Sequence, residues 1–292
     1  MPSHWVHNLS PFAIHFWGEV GIRWYGLAYL AGILGGYWML VRWHRLGRNP
    51  LEPARIQDFA LSAGLGMIIG GRLGYCLIYG REHWLHDPLY VFRLWEGGMA
   101  SHGGILGLLA GTWLFVRKTT VPMFLLTDMV CAAAPLGVLF GRLANFVNGE
   151  LWGKPGNVPW AVIFPQSRDG VPRHPSQLYE AFLEGVLLLI IILPIHARHR
   201  KPGLTTGILL ALYAIMRFIG EFWREPDEGM PPFFGWMNMG QALSLPLFVI
   251  GAGIAIWAAQ RPPQPEAYAA LPPPAEPPAA SPAGAPPADA QT

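Results

Sequence analysis

Long apolar stretches alternate with short polar segments along nearly the whole chain. A bilayer core needs about 20 mainly apolar residues per crossing helix. Seven stretches meet that length, at approximately 22–42, 58–79, 98–117, 123–147, 177–196, 203–223 and 239–260. The fifth is the plainest, since Val186 to Ile195 is an almost unbroken aliphatic run, whereas the second and fourth contain Arg72 and Arg142. The pattern predicts an all-α integral membrane protein with seven transmembrane helices. Asn148 to Gln177 carries Trp152, Trp160, Phe164 and several Pro and Gly residues, and reads as an ordered loop along the membrane interface. From Pro262 to Thr292 the chain is mostly Pro and Ala, with Tyr268 and Leu271 almost its only large apolar residues. Such a segment cannot bury enough surface to offset its ordering entropy. The expected organisation is a transmembrane domain over 1–261 and a disordered tail over 262–292 that the chemistry does not need.

Composition narrows the class further. Of 292 residues, 52% are hydrophobic and only 13% charged, against about 25% charged in soluble domains, and the mean hydropathy is +0.30. That charge density cannot cover a water-facing surface, which excludes a cytosolic globule, and the apolar content excludes a disordered chain. The formal charge of +2 gives no reason to expect a nucleic-acid partner. Cys76 and Cys131 both lie in apolar runs and read as buried thiols rather than a disulfide. Residues 1–17 lack a basic leader pattern and the first apolar run is of full spanning length, so no cleaved signal peptide is expected. With the N-terminus outside, the cytoplasmic side receives ten Lys and Arg residues, mostly in short loops, and the outside receives seven in longer ones. The positive-inside rule then places the N-terminus outside and the tail in the cytoplasm.

This topology puts the intramembrane polar residues at comparable depth. Tyr25, His102, Gln177, Glu180 and Gln241 open spans that run inward. Arg72, Arg142, Asn145, Arg217 and Glu221 close spans that run outward. Charged groups in hydrocarbon are expensive and mark candidate function, so the clustering predicts one polar cavity opening toward the outer leaflet. Arg217 and Glu221 are four residues apart and share a helix face. Arg142 lies at a similar depth on its own helix. If Glu221 neutralises one of the two guanidiniums, a net positive site remains, suited to a phosphate such as a phospholipid headgroup.

Plainer readings stand beside this one. Arg142 can snorkel to the interface, the Arg217–Glu221 pair can be purely structural, and Arg72 can serve either packing or headgroup contact. Gly103, Gly104 and Gly107 have a spacing that lets helices approach closely. No Gly-x-Ser-x-Gly elbow, intramembrane aspartate pair or metal-binding aspartate array occurs, and no metal or cofactor is expected. A lipid transporter would need a polar path through the inner half, where Asp128 is the main polar residue. A lipid-binding scaffold would explain the arginines but not the His, Asn and Glu residues converging with them.

Gly141-Arg142-Leu143-Ala144-Asn145-Phe146-Val147-Asn148-Gly149-Glu150-Leu151-Trp152-Gly153 closely resembles the signature of the bacterial prolipoprotein diacylglyceryl transferases. Three further blocks are similar to that family, in the same order: His102-Gly103-Gly104-Ile105-Leu106-Gly107, Arg173-His174-Pro175-Ser176-Gln177-Leu178-Tyr179-Glu180, and Arg217-Phe218-Ile219-Gly220-Glu221-Phe222. Arg23-Trp24-Tyr25-Gly26 fits as well. The resemblance spans about residues 20 to 260. It implies a multi-pass enzyme of the bacterial inner membrane with a periplasm-facing active site and no cofactor. Its partners would be phosphatidylglycerol and prolipoprotein signal peptides bearing a lipobox cysteine. On that reading Arg142 and Arg217 stabilise the departing phosphate. His102 either takes the thiol proton or holds the headgroup, the arginines themselves then lowering the thiol pKa. Tyr25, Arg72, Gly103, Gly104, Asn145, Glu150, Gly153, Gln177, Glu221 and Arg224 are the expected substrate-binding residues, with Glu221 fixing Arg217.

Overall fold

The computed structural model describes residues 4–18, 20–93, 98–226 and 235–269. Its helices are α1 (Trp24–Arg45), α2 (Pro53–Ile78), the short α3 (Arg81–His86), α4 (Ser101–Val116), α5 (Met123–Asn148), α6 (Ser176–Arg198), α7 (Leu204–Gly220) and α8 (Met239–Ala259). Five of them, α1, α2, α5, α6 and α8, are long and apolar enough to cross a membrane, while α4 and α7 are apolar but shorter. The two short helices have local causes. Gly98 at φ +81° turns the chain just before α4. Gly203 at φ +96° precedes α7, whose first amides are held by a carboxylate from another helix: Asp128 accepts from the Gly203 and Thr206 amides at 2.8 and 2.7 Å and from the Thr206 hydroxyl at 2.6 Å. Asp128 is thereby explained as a helix cap.

Helix pairing follows side-chain size. Gly66, Gly70 and Gly74 of α2 face Gly103, Gly107 and Gly111 of α4 so closely that a Cβ on Gly107 would collide with the Gly66 carbonyl oxygen and stand 2.9 Å from the Gly70 Cα. Small residues at this spacing let backbones touch. Gly103, expected at substrate, lies in that contact, and a Cβ on Gly104 would meet only Met67, at 3.6 Å. Elsewhere α1 packs on α5, α6 and α7 pack on α5, and α8 packs on α7.

Apolar and polar interiors occupy opposite ends of the bundle. The continuous core gathers Leu40, Trp43, Leu51, Ile56, Leu125, Leu126, Leu188 and Ile192 around the α1–α2, α4–α5 and α6–α7 connections. The outer faces of the helices are apolar and exposed, with Val249 68% and Leu106 68% accessible, as lipid-facing positions would be. At the other end the 149–175 segment is folded: β1 (Trp5–Val6) pairs in parallel with β4 (Val162–Ile163), which pairs antiparallel with β5 (Pro172–Arg173). A second hairpin, β2 (Phe12–Trp17) and β3 (Val20–Arg23), leads directly into α1.

The expected tail divides. Residues 270–292 lie outside the described residues. Residues 262–269 instead return to the bundle, where a 3₁₀ turn at Pro265–Tyr268 buries the Tyr268 ring in the apolar core. The Gln264 amide donates to the Arg200 carbonyl at 2.7 Å, and the Arg200 guanidinium sits 5.0 Å from the Tyr268 ring centroid. One aromatic ring is enough to anchor an otherwise Pro/Ala-rich segment. Cys76 and Cys131 are both free thiols.

Two stability measurements follow. Gly107→Ala should destabilise the protein by about 1–3 kcal/mol through overpacking, while Gly104→Ala stays near wild type; equal thermal midpoints in detergent would contradict the backbone contact. A chain ending at Arg261 should lose about 1.5–3 kcal/mol of apolar burial at Tyr268, and one ending at Ala269 should keep it. Equal midpoints for these two truncations would remove the anchoring role.

Candidate active site

Three helices bring charge together at the end opposite the apolar core. Arg142 lies in the last two turns of α5, Glu180 and Glu184 in the first half of α6, and Arg217 in the last turn of α7, with Glu221 and Arg224 just beyond it. Between Glu180 and the rest of α6 runs a π-helical turn, Ala181–Leu187. Gly185 in that turn lets α6 approach α5, since a Cβ there would stand 2.7 Å from Leu139 Cβ.

The contacts form a continuous ladder. Arg142 directs Nε and Nη2 to Glu184 Oε2 at 3.4 and 3.1 Å, and Nη1 to Glu180 Oε2 at 3.0 Å. Arg217 directs Nη1 to Glu180 Oε1 at 2.8 Å and to Glu184 Oε1 at 3.5 Å, and pairs through Nη2 with Glu221. Arg224 reaches Glu180 Oε1 at 3.4 Å and Glu221 Oε1 at 3.8 Å. Asn238, which caps α8, donates to Glu221 Oε2 at 3.3 Å.

Two features of this ladder decide its chemistry. The first is charge. Among the described residues three guanidiniums meet three carboxylates, so a balanced cluster stands where a net positive cavity was expected. Low-dielectric surroundings account for it, because uncompensated buried charge is too costly to keep. The second is access. The Glu180 and Glu184 side chains are 0% exposed, whereas those of Arg142 and Arg217 are 17% and 16% exposed. The carboxylates form a floor and the arginines a rim, so an arriving anion meets N–H donors. The described contacts use three of the five donors of Arg142.

The neighbouring expected residues assemble beside the rim. Asn145 is buried and donates to Glu150 Oε1 at 2.7 Å, and Gln177 donates to the Glu150 carbonyl at 2.7 Å. The Tyr25 ring packs at a tilt against Tyr29, with centroids 5.0 Å apart. Gly153 is squeezed between two backbones, where a Cβ would stand 2.5 Å from both the His174 and Trp223 carbonyl oxygens. Arg173 ties the same loop down, donating to the Gly153 carbonyl at 3.2 Å, to Glu225 at 3.1 Å and to Asp169 at 2.5 Å. Those Arg173 bonds hold the Asp169 carboxyl well below the usual carboxylate range.

Two expected residues make no described hydrogen bond to the ladder. His102 opens α4, is exposed, and has no described hydrogen bond to the arginine ladder. Arg72 is 2% exposed and turns its guanidinium onto the loop between α3 and α4, donating to the carbonyls of Val91, Gly98, Tyr90 and Arg93 at 3.1, 3.1, 2.6 and 3.0 Å. The Tyr90 ring lies 4.6 Å away. These bonds make Arg72 a clamp on that loop. The main omission of the sequence reasoning is Glu184. Two acidic residues four apart inside an apolar run are the signal that could have found it.

Bundle and ladder together define a helical protein of membrane type with a cluster of arginines and glutamates at one end. The sequence matches the family model described as prolipoprotein diacylglyceryl transferase over residues 11–257, and the chain belongs to that family. It is 46% identical over 247 residues to the phosphatidylglycerol–prolipoprotein diacylglyceryl transferase of Methylococcus capsulatus, covering 83% of this chain and 93% of that one. Proteins of the same name from Rhizobium meliloti and Legionella pneumophila are 45% and 43% identical over 84% and 87% of this chain, and over 89% and 98% of their own lengths.

The clamp assignment can be checked directly. Arg72→Lys keeps the charge but loses the fork, and should cost about 1.5–3 kcal/mol, the range for hydrogen bonds to a charged group. Amide exchange over Tyr90–Arg93 should rise with it. Unchanged stability and exchange would contradict the clamp.

Proposed function

We propose that this protein transfers the diacylglyceryl group of phosphatidylglycerol to the thiol of a lipobox cysteine in a prolipoprotein. A thioether forms, glycerol phosphate leaves, and lipoprotein maturation takes its first step. The observation that carries the reading is the exposed rim of Arg142 and Arg217 over a fully buried carboxylate floor, in a chain of this family.

In the reaction the cysteine sulfur attacks the glyceryl carbon that bears the phosphate ester. The C–O bond breaks as the C–S bond forms, the thiol proton is lost, and negative charge grows on the departing phosphate. Arg142 and Arg217 stabilise that charge, already oriented by their carboxylates, so no reorganisation is needed at the moment of reaction. Either His102 at the head of α4 takes the thiol proton, or the arginines themselves lower the thiol pKa and His102 holds the headgroup. Asn145, Glu150, Tyr25 and Gln177 line the glyceryl side, Arg224 and Glu221 steady Arg217, Gly103 brings α4 close to α2, and Gly104 leaves room for substrate beside it.

The proposed topology has all seven apolar helices crossing the bacterial inner membrane, the short α4 and α7 included. The N-terminus and the site face the periplasm, and the C-terminus lies in the cytoplasm. The Lys and Arg distribution supports this, as does the gathering of the charged residues at the end carrying the longer loops. The segment after Ala269 is a dispensable tail.

The test uses purified protein in detergent, phosphatidylglycerol, and a short lipobox peptide carrying Cys or Ser at the acceptor position. Glycerol phosphate release and a diacylglyceryl mass gain are expected on the Cys peptide alone. Arg142→Ala and Arg217→Ala should abolish both. Arg217→Lys should lose about 100-fold or more, because a point charge cannot replace the fork. Phospholipid binding without release would reduce the protein to a headgroup binder.

A further inference from the structure

Resting on that function, we propose that Glu184 is a positioning residue that sets the plane and spacing of the Arg142 and Arg217 guanidiniums toward the phosphate. Each of its oxygens takes one arginine. Oε2 accepts from Nε and Nη2 of Arg142, and Oε1 lies 3.5 Å from Nη1 of Arg217. Glu180 also bridges the two, but through one terminal nitrogen of each, and it serves Arg224 as well. Contact to the Nε–Nη2 edge holds a guanidinium in plane through a single acceptor, and among the described contacts of Arg142 that edge belongs to Glu184.

The backbone is built to deliver it. Glu184 sits in the middle of the π-helical turn Ala181–Leu187, followed directly by Gly185, whose missing side chain permits the approach to Leu139. A π-turn is rare, and such turns occur often at functional sites. Here the widened turn carries the carboxylate that meets the Nε–Nη2 edge of Arg142. Glu184 is fully buried and cannot touch the lipid, so its effect on transfer passes through the arginines.

The experiment separates kcat from KM for phosphatidylglycerol, using the lipobox Cys peptide as acceptor. Glu184→Gln keeps the volume but loses the charge. It should lower kcat about 100-fold, the scale of a misplacement near 1 Å, with KM changed only a few-fold. Glu184→Asp should recover part of the loss. In an Arg142→Lys background Glu184→Gln should cost clearly less than in the wild type, because part of its effect acts through Arg142. Wild-type kcat in folded Glu184→Gln overturns the role, as does full additivity in the double variant. If Glu184→Gln does not fold, the kcat of Glu184→Asp decides; if neither folds, Glu184 is a folding determinant and the proposal fails. A wild-type protein that releases no glycerol phosphate refutes the underlying reaction, whereas an active wild type with an equally active Glu184→Gln refutes the positioning role alone.

Discussion

Six charged side chains that cannot leave one another organise this end of the molecule. A guanidinium mostly buried in a helical bundle has little water to solvate it, and a fully buried carboxylate has none. Each is tolerable only while the other is within reach. Arg142, Arg217 and Arg224 belong to different parts of the chain, yet Glu180 touches all three. Removing a partner would leave an uncompensated charge, so the positions of α5, α6 and α7 are bound to one another there. The apolar packing at the far end lacks this constraint, since dispersion and area burial do not depend on direction.

Other local features serve the same convergence. The π-turn in α6 and Gly185 bring a carboxylate onto α5 at the depth of Arg142. Asp128 holds the first amides of α7 from α5 and so helps fix how α7, and with it Arg217, is seated. Arg173 and Gly153 press the 149–175 segment against the backbone near Trp223, next to Arg224. Asn238 links the start of α8 to Glu221. Each is an ordinary hydrogen bond or a missing side chain, and together they leave the arginine rim little freedom.

Much of this is legible in the sequence, and the rest is hidden for definite reasons. Arg142 and Arg217 declare themselves because charge inside an apolar run is rare. Five of the seven apolar stretches also appear as helices of spanning length. Glu184 is harder to read. Spacing on one helix points Arg217 to Glu221, while the partners on α6 depend on how three helices pack, which no periodicity encodes. Arg72 carries the same signal as Arg142, but its described hydrogen bonds go to carbonyls of a nearby loop, and carbonyls have no residue type to betray them. The glycines of α4 look alike in sequence, and only the facing helix shows which are in contact. Tyr268 is a single ring in a Pro/Ala-rich segment, too little for composition to register and enough to hold a turn in place.

Charge balance has a consequence for the proposed reaction. Opposite charges at 4 Å attract with about 4 kcal/mol at an effective dielectric of 20, so an uncompensated pair of arginines would hold a phosphate dianion tightly. The substrate is a phosphodiester with one negative charge, and the product is a monoester with up to two. A purely positive site would therefore favour the product and slow its release. Carboxylates behind the arginines weaken that hold while keeping the donors aimed at the phosphate oxygens. The buried floor thus lets the same two guanidiniums stabilise a growing charge and then give it up.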